Sequence, residues 1–179
     1  AIDKPVSILE EIAIWPAIPE PVPVERIVDG LEGPDQAFVL SAYALAAEFY
    51  SEMPPRKNGE SAFSHPTNAA YYLRLASAQP AIIAAGLLHD VLEEKVDLVK
   101  ERSGLTDPKE LDRLQSRVRA DFASDVIRRS VRTGFPRDVA ERVVEIVWTL
   151  TRHKSDLYYR SISGIFVHTD VDVRLGGAL

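Results

Sequence analysis

The run Ala81-Ile82-Ile83-Ala84-Ala85-Gly86-Leu87-Leu88-His89-Asp90-Val91-Leu92-Glu93-Glu94 constrains this chain more than any other stretch. It follows Gln79-Pro80, and a proline fits the first turn of a helix, where its missing N–H costs nothing. The residues after it are apolar on nearly every face, which predicts a helix buried on all sides. Four ionisable groups then arrive together. Helical spacing stacks Glu93 one turn beyond His89, and Glu94 one turn beyond Asp90. A buried carboxylate costs roughly several kcal/mol unless it is paired or holds a metal. If the helix ends here, the two glutamates also face the negative end of its dipole, and a cation nearby would offset them. Neutral imidazole with carboxylate suits a divalent ion such as Mn, Fe or Zn, with the remaining ligands supplied from elsewhere in the chain. The plain alternative is a core helix whose last turn emerges into water.

Around this stretch lie 179 residues of which 46% are hydrophobic, enough for one domain with a real core. The net charge of −6 argues against nonspecific nucleic-acid binding, which needs a basic surface, although local basic clusters can still serve a small anionic ligand. With no cysteine there is no disulfide or thiolate chemistry, which fits a cytoplasmic protein. No apolar run reaches membrane-spanning length, and the first residues lack the pattern of a signal peptide. The chain begins at Ala1 and stops at Gly176-Gly177-Ala178-Leu179, so both ends read as cut.

Residues 1–34 form an N-terminal lead-in expected to pack on the core. Pro5, Pro16, Pro19, Pro21 and Pro23 predict an irregular or extended path up to about Val28, with Trp15 as anchor or partner-binding strip. Gly33-Pro34-Asp35 opens a helix to about Met53, with Phe38, Ala42, Leu45, Ala46 and Phe49 on its buried face. Pro54-Pro55 ends it. After the loop Arg56-Lys57-Asn58-Gly59-Glu60-Ser61, His65-Pro66 opens a helix to about Ser77. A residue before proline is pushed out of the helical region, so His65 is expected at the N-cap, where the positive helix end favours the neutral, metal-binding imidazole. A capping or solvated histidine is the alternative. Arg56 and Lys57 read either as surface charge or as cations for a phosphorylated substrate.

Beyond Glu94 the pattern is helical throughout. A short helix spans Val96 to Arg102, and a long charged amphipathic one runs from Asp107 or Pro108 to about Thr133, with Gly134 as C-cap. Another starts at Pro136 and buries Val139, Val143, Val144 and Val147. A further helix is expected after Ser155 or Asp156. Thr169 with Asp172 resembles a capping box, so Asp170 and Asp172 are read as structural ahead of metal-ligating. No strand pattern and no internal repeat is visible, and the expected architecture is all-α.

Taken in order, Arg56-Lys57-Asn58-Gly59-Glu60, His65-Pro66 and His89-Asp90-Val91-Leu92-Glu93-Glu94 resemble the hydrolase domain of the Rel/SpoT family, within the HD phosphohydrolase superfamily. That family writes Arg-Lys-Ser-Gly-Glu, then His-Pro, then an HDxxED helix, and removes the 3′-pyrophosphate from the alarmone (p)ppGpp. The resemblance covers residues 35–179 and implies an HD-domain helical bundle, with His65, His89 and Asp90 as ligands to Mn2+ or another divalent metal. It makes Glu93 and Glu94 the catalytic acidic pair, and Arg56, Lys57 and Asn58 the loop that contacts a guanosine polyphosphate. It also allows a synthetase domain downstream. Asn58 stands where the family has Ser, and Glu94 where it has Asp. The family's fourth ligand, an Asp in a Lys-Leu-Ala-Asp motif, would fall a few residues beyond Leu179; Asp170 is the second choice.

Overall fold

Residues 18–152 are described by a computed structural model, and among them every regular element is a helix. These are α1 (Val24–Val28), α2 (Gly33–Tyr50), α3 (Ser64–Leu75), α4 (Pro80–Ser103), α5 (Pro108–Arg132) and α6 (Arg137–Arg152). The all-α expectation holds. Expectations about Trp15, the helix after Ser155 or Asp156, Thr169, Asp170 and Asp172 lie outside the described residues.

The predicted buried helix is α4, which packs against α6, α3, α2 and α5. Ile83, Leu87, Leu88, Val91 and Leu92 are almost completely enclosed, and each such side chain contributes ~1.5–3 kcal/mol by leaving water. Gly86 sets how near α3 comes. A methyl group there would meet Leu73 Cδ1 at 2.7 Å and the Ala70 backbone at 3.7 Å, so the absent side chain lets the two helices cross closely.

Three sequence expectations need correction. First, α4 does not stop at Glu94. Nothing around Lys95 breaks a helix, and the element continues to Ser103, where Gly104 turns left-handed at φ 66°. Glu93 and Glu94 therefore lie mid-helix, outside the reach of the C-terminal dipole. The last turn instead carries Lys100 and Arg102, the favourable sign. Second, the lead-in is not wholly irregular: Pro23 precedes a turn and a half of helix because Ile27 and Val28 have a core face to fill. Third, His65 is not an N-cap. α3 begins at Ser64, placing His65 at its second helical position. The pre-proline bias yields because Pro66 still lies within the first turn, where its missing N–H is no loss.

The chain from Ile18 to Val22 is tied to that same first turn of α3. Asn68 accepts from the Ile18 N–H at 2.5 Å and donates to the Ile18 carbonyl at 2.9 Å. Thr67 Oγ1 accepts from Val22 N–H at 2.9 Å, and Ser64 Oγ donates to the Pro19 carbonyl at 2.9 Å. The Tyr43 hydroxyl of α2 donates to the Val22 carbonyl at 3.0 Å. Side chains from α3 and α2 thus meet the polar backbone of a segment whose prolines keep it extended, and they steady the turn that carries His65.

Candidate metal centre

Three ligand atoms from two helices converge where α3 crosses α4. His65 Nε2 and His89 Nε2 are 3.3 Å apart, and Asp90 Oδ2 lies 3.3 Å from the first and 3.2 Å from the second. Among the described residues this is the group of His and acidic side chains close enough to hold one ion. Neighbouring ligands ~2.1 Å from a shared ion stand roughly 3.0–3.4 Å apart for right-angled to tetrahedral arrangements, so the spacing fits.

The chemistry of the donors fits as well. His89 is buried, and its Nδ1–H donates to the Gly86 carbonyl at 2.6 Å, which turns Nε2 toward the other two atoms. That orientation by a backbone carbonyl is the usual support of a metal-binding imidazole. Burial pushes the His89 imidazolium down, but the hydrogen bond and charge of Asp90 outweigh it and hold the group above its ordinary value. Asp90 is the mirror case. Burial raises it, while His89, His65 and Arg56 bring it below the usual carboxylate range. His65 is held below its ordinary value, first by desolvation and then by His89, so it presents a neutral ring. The trio gathers lone pairs around a place for positive charge, which one proton on His89 or one metal ion can supply.

Around the trio sit further groups named by the sequence. Glu94, one turn beyond Asp90, is driven up to about 7 by burial, with Asp90 second. Its Oε2 is buried and has no hydrogen-bond partner among the described residues. Glu93 adds negative charge to His89 and Glu94. Arg56 is close enough for its charge to act on His65, Asp90 and Glu94. It opens a tight turn in which the Gly59 N–H reaches the Arg56 carbonyl at 2.8 Å and the Arg56 N–H reaches the Glu60 carbonyl at 2.8 Å. Lys57 and Asn58 occupy the exposed tip of that turn. Asn58 Oδ1 accepts from the Glu60 N–H at 3.1 Å, so its carboxamide oxygen shapes the loop, as Asn does in Asx turns. The structure therefore brings together His65, His89, Asp90, Glu94 and the charge of Arg56. It leaves Lys57 and Asn58 at the rim.

Sequence reasoning missed Tyr50. It ends α2, is 6% exposed, and stacks on Phe63 with ring centroids 5.7 Å apart. Its hydroxyl is buried without a hydrogen-bond partner among the described residues, and the charges acting on it are those of Glu94, Asp90, Arg56 and Glu93. A tyrosine at a helix end reads as core packing, and no local signal separated it from the other aromatics. No protein-family model, curated protein or solved structure matches the chain.

Proposed function

We propose that this domain is a metal-dependent phosphohydrolase of the HD type that removes the 3′-pyrophosphate from guanosine tetra- or pentaphosphate, releasing pyrophosphate and GDP or GTP. The observation that carries the reading is the meeting of His65 Nε2, His89 Nε2 and Asp90 Oδ2 within 3.2–3.3 Å, beside a raised carboxyl on Glu94 and the cation of Arg56. The ordered motifs of the sequence supply the substrate class.

His65, His89 and Asp90 would hold a divalent ion, with Mn2+ the first choice. When bound, such an ion lowers the pKa of water toward neutrality and polarises a phosphate oxygen. The chain's own groups then divide the work. The Gly86 carbonyl keeps His89 in the tautomer that offers Nε2. Glu94, poised near 7, can hold or release a proton at neutral pH, as a general acid or base requires. Glu93 adds a second carboxylate one turn from His89, and Arg56 supplies positive charge for an anionic nucleotide. Lys57 and Asn58, at the exposed tip, suit the part of the nucleotide that stays near solvent.

The test is metal content together with pyrophosphate release from ppGpp in the presence of Mn2+. Bound metal with pyrophosphate release supports the proposal. Bound metal with release only from other nucleotides moves it to a different HD phosphohydrolase. Bound metal without any turnover favours a regulatory nucleotide-binding domain, and a protein that takes up no divalent metal at all overturns the metal reading. Within the active protein, Arg56→Ala is expected to raise KM more than it lowers kcat, and an unchanged KM removes Arg56 from the substrate site.

A further inference from the structure

Two polar atoms in the neighbourhood of the trio are buried without a protein partner. One is the Tyr50 hydroxyl and the other is Glu94 Oε2; neither has a hydrogen-bond partner among the described residues. A buried donor or acceptor without a partner is expensive, and two of them in one neighbourhood are rarely a coincidence of packing. Glu94 is first among the charged groups that act on the Tyr50 hydroxyl, ahead of Asp90, Arg56 and Glu93, which sets the hydroxyl in the electrostatic neighbourhood of the site. Burial first, and then those carboxylates, keep the phenol well above its ordinary value. The hydroxyl therefore stays protonated and able to donate at neutral pH. The ring cannot easily turn it elsewhere, because Phe63 stacks on one side at 5.7 Å and Phe49 meets it edge-on at 5.2 Å.

We infer that Tyr50 is a further residue of this site, a positioning residue whose hydroxyl donates to one water oxygen that in turn donates to Glu94 Oε2. A donor on one side and an acceptor on the other give a buried water two of the contacts it needs. The bridge fixes the Glu94 carboxylate relative to His65, His89 and Asp90 without adding a fourth ligand. A glutamate carries one more torsion than an aspartate, and a tether at its far oxygen restores the order that the extra torsion costs. The inference extends the phosphohydrolase reading by one residue and does not depend on turnover.

The experiment uses the metal-free protein labelled at glutamate Cδ, with Tyr50→Phe, Glu94→Leu and the double variant. The Glu94 resonance is the one that disappears in Glu94→Leu. Tyr50→Phe keeps the ring and its stacking, so a purely structural role leaves that resonance in place. The expected result is a displaced Glu94 Cδ resonance in Tyr50→Phe, with a lowered Tm in the native background and no further lowering in the Glu94→Leu background. A Tm that rises in Tyr50→Phe means that the hydroxyl was truly unpaired, and overturns the proposal. An unmoved resonance overturns it, and so do additive losses of stability. Metal affinity is expected to stay within twofold of wild type, and a larger loss would overturn a role confined to Glu94. Neither the resonance nor the Tm requires catalysis, so a failed pyrophosphate assay would leave this result standing.

Discussion

Two clusters of charge among the described residues are resolved by the packed helices in different ways. Where α2 meets α5, Arg129 grips both oxygens of Glu48, at 3.2 and 2.8 Å, and donates to Asp125 Oδ1 at 3.2 Å; Arg128 also bonds Asp125. Each charge finds an opposite one, and three of the groups move toward their charged forms: Glu48 and Asp125 are lowered and Arg129 is raised. Where α3 meets α4 beside the end of α2, the shifts are mixed: His89 is raised and Asp90 lowered toward their charged forms, but the groups around them run toward neutrality. His65 is lowered and Glu94 and Tyr50 are raised, while Glu94 Oε2 and the Tyr50 hydroxyl keep no protein partner among the described residues. A cluster that satisfies itself is architecture. A cluster that gathers lone pairs and shifts its own protonation equilibria is a candidate functional site.

The contrast is broken most severely at its centre. His89→Ala or His89→Gln should lower divalent-metal affinity by roughly 100-fold or more, and hydrolysis with it. Removing Arg129 from the other cluster should leave metal binding alone. Metal titration calorimetry and far-ultraviolet circular dichroism on both variants decide the matter. Unchanged metal uptake by a folded His89 variant would place the ion elsewhere.

A second way to break it is to move the helices. In Gly86→Val the first added carbon already meets Leu73 Cδ1 at 2.7 Å, and the rest has to push α3 from α4. Overpacking of this kind costs ~1–3 kcal/mol, and because His65 rides on α3 the same change should weaken metal binding. Gly86→Ala, whose single methyl faces the end of a flexible leucine, should cost less. Loss of stability with full metal affinity in Gly86→Val would mean that His65 does not need the close crossing.

How much of this was legible beforehand follows from what each signal reports. The apolar run from Ala81 announced a buried helix because a run apolar on every helical face has only the core to enter, and His89, Asp90 and Glu94 came with it. His65 was found through its proline, although the proline also misplaced it at the N-cap: a backbone bias was overruled by the tertiary ties of Ser64, Thr67 and Asn68. The end of α4 was misjudged because charge was read as a boundary, when only Gly104 breaks the helix. Tyr50 and the closeness enforced by Gly86 were invisible for one reason. Both depend on which side chains face each other across helices, and no spacing within one helix encodes that.

The comparison sharpens with pH. Glu94 has a folded value of about 7, above the ordinary 4.5 of the unfolded chain. The folded state therefore binds the proton more tightly, and the stability that comes with it is present below the unfolded pKa and lost as pH rises toward 7. After a discount for the water that a partly buried carboxylate retains, Glu94→Gln should stabilise the metal-free protein by ~1–2 kcal/mol at pH 8 and by little at pH 4. Urea unfolding at the two pH values measures it. An equal effect at both would show that the gain comes from the amide's packing and not from the charge.

Asp125 must bend the other way, and with a smaller amplitude. Burial alone would raise its pKa, but hydrogen bonds from Arg128 and Arg129 hold it below 3.8, so its contribution is present above the unfolded value and lost as pH falls through the folded one. Asp125→Asn should cost ~0.5–1 kcal/mol at pH 7, because the pair is partly exposed, and almost nothing once the pH has fallen through the folded pKa. Salt should shrink the loss at pH 7, since both arginines remain open to screening. A loss that persists unchanged in acid would mean that Asp125 supports α5 by shape or by hydrogen bonds an amide cannot replace. The Glu48–Asp125–Arg129 cluster would then hold the fold through contacts indifferent to charge, and the contrast in pH would rest on Glu94 alone. Opposite pH slopes from Glu94 and Asp125, measured on the same protein in the same denaturant, are what a self-satisfied network and an open one require.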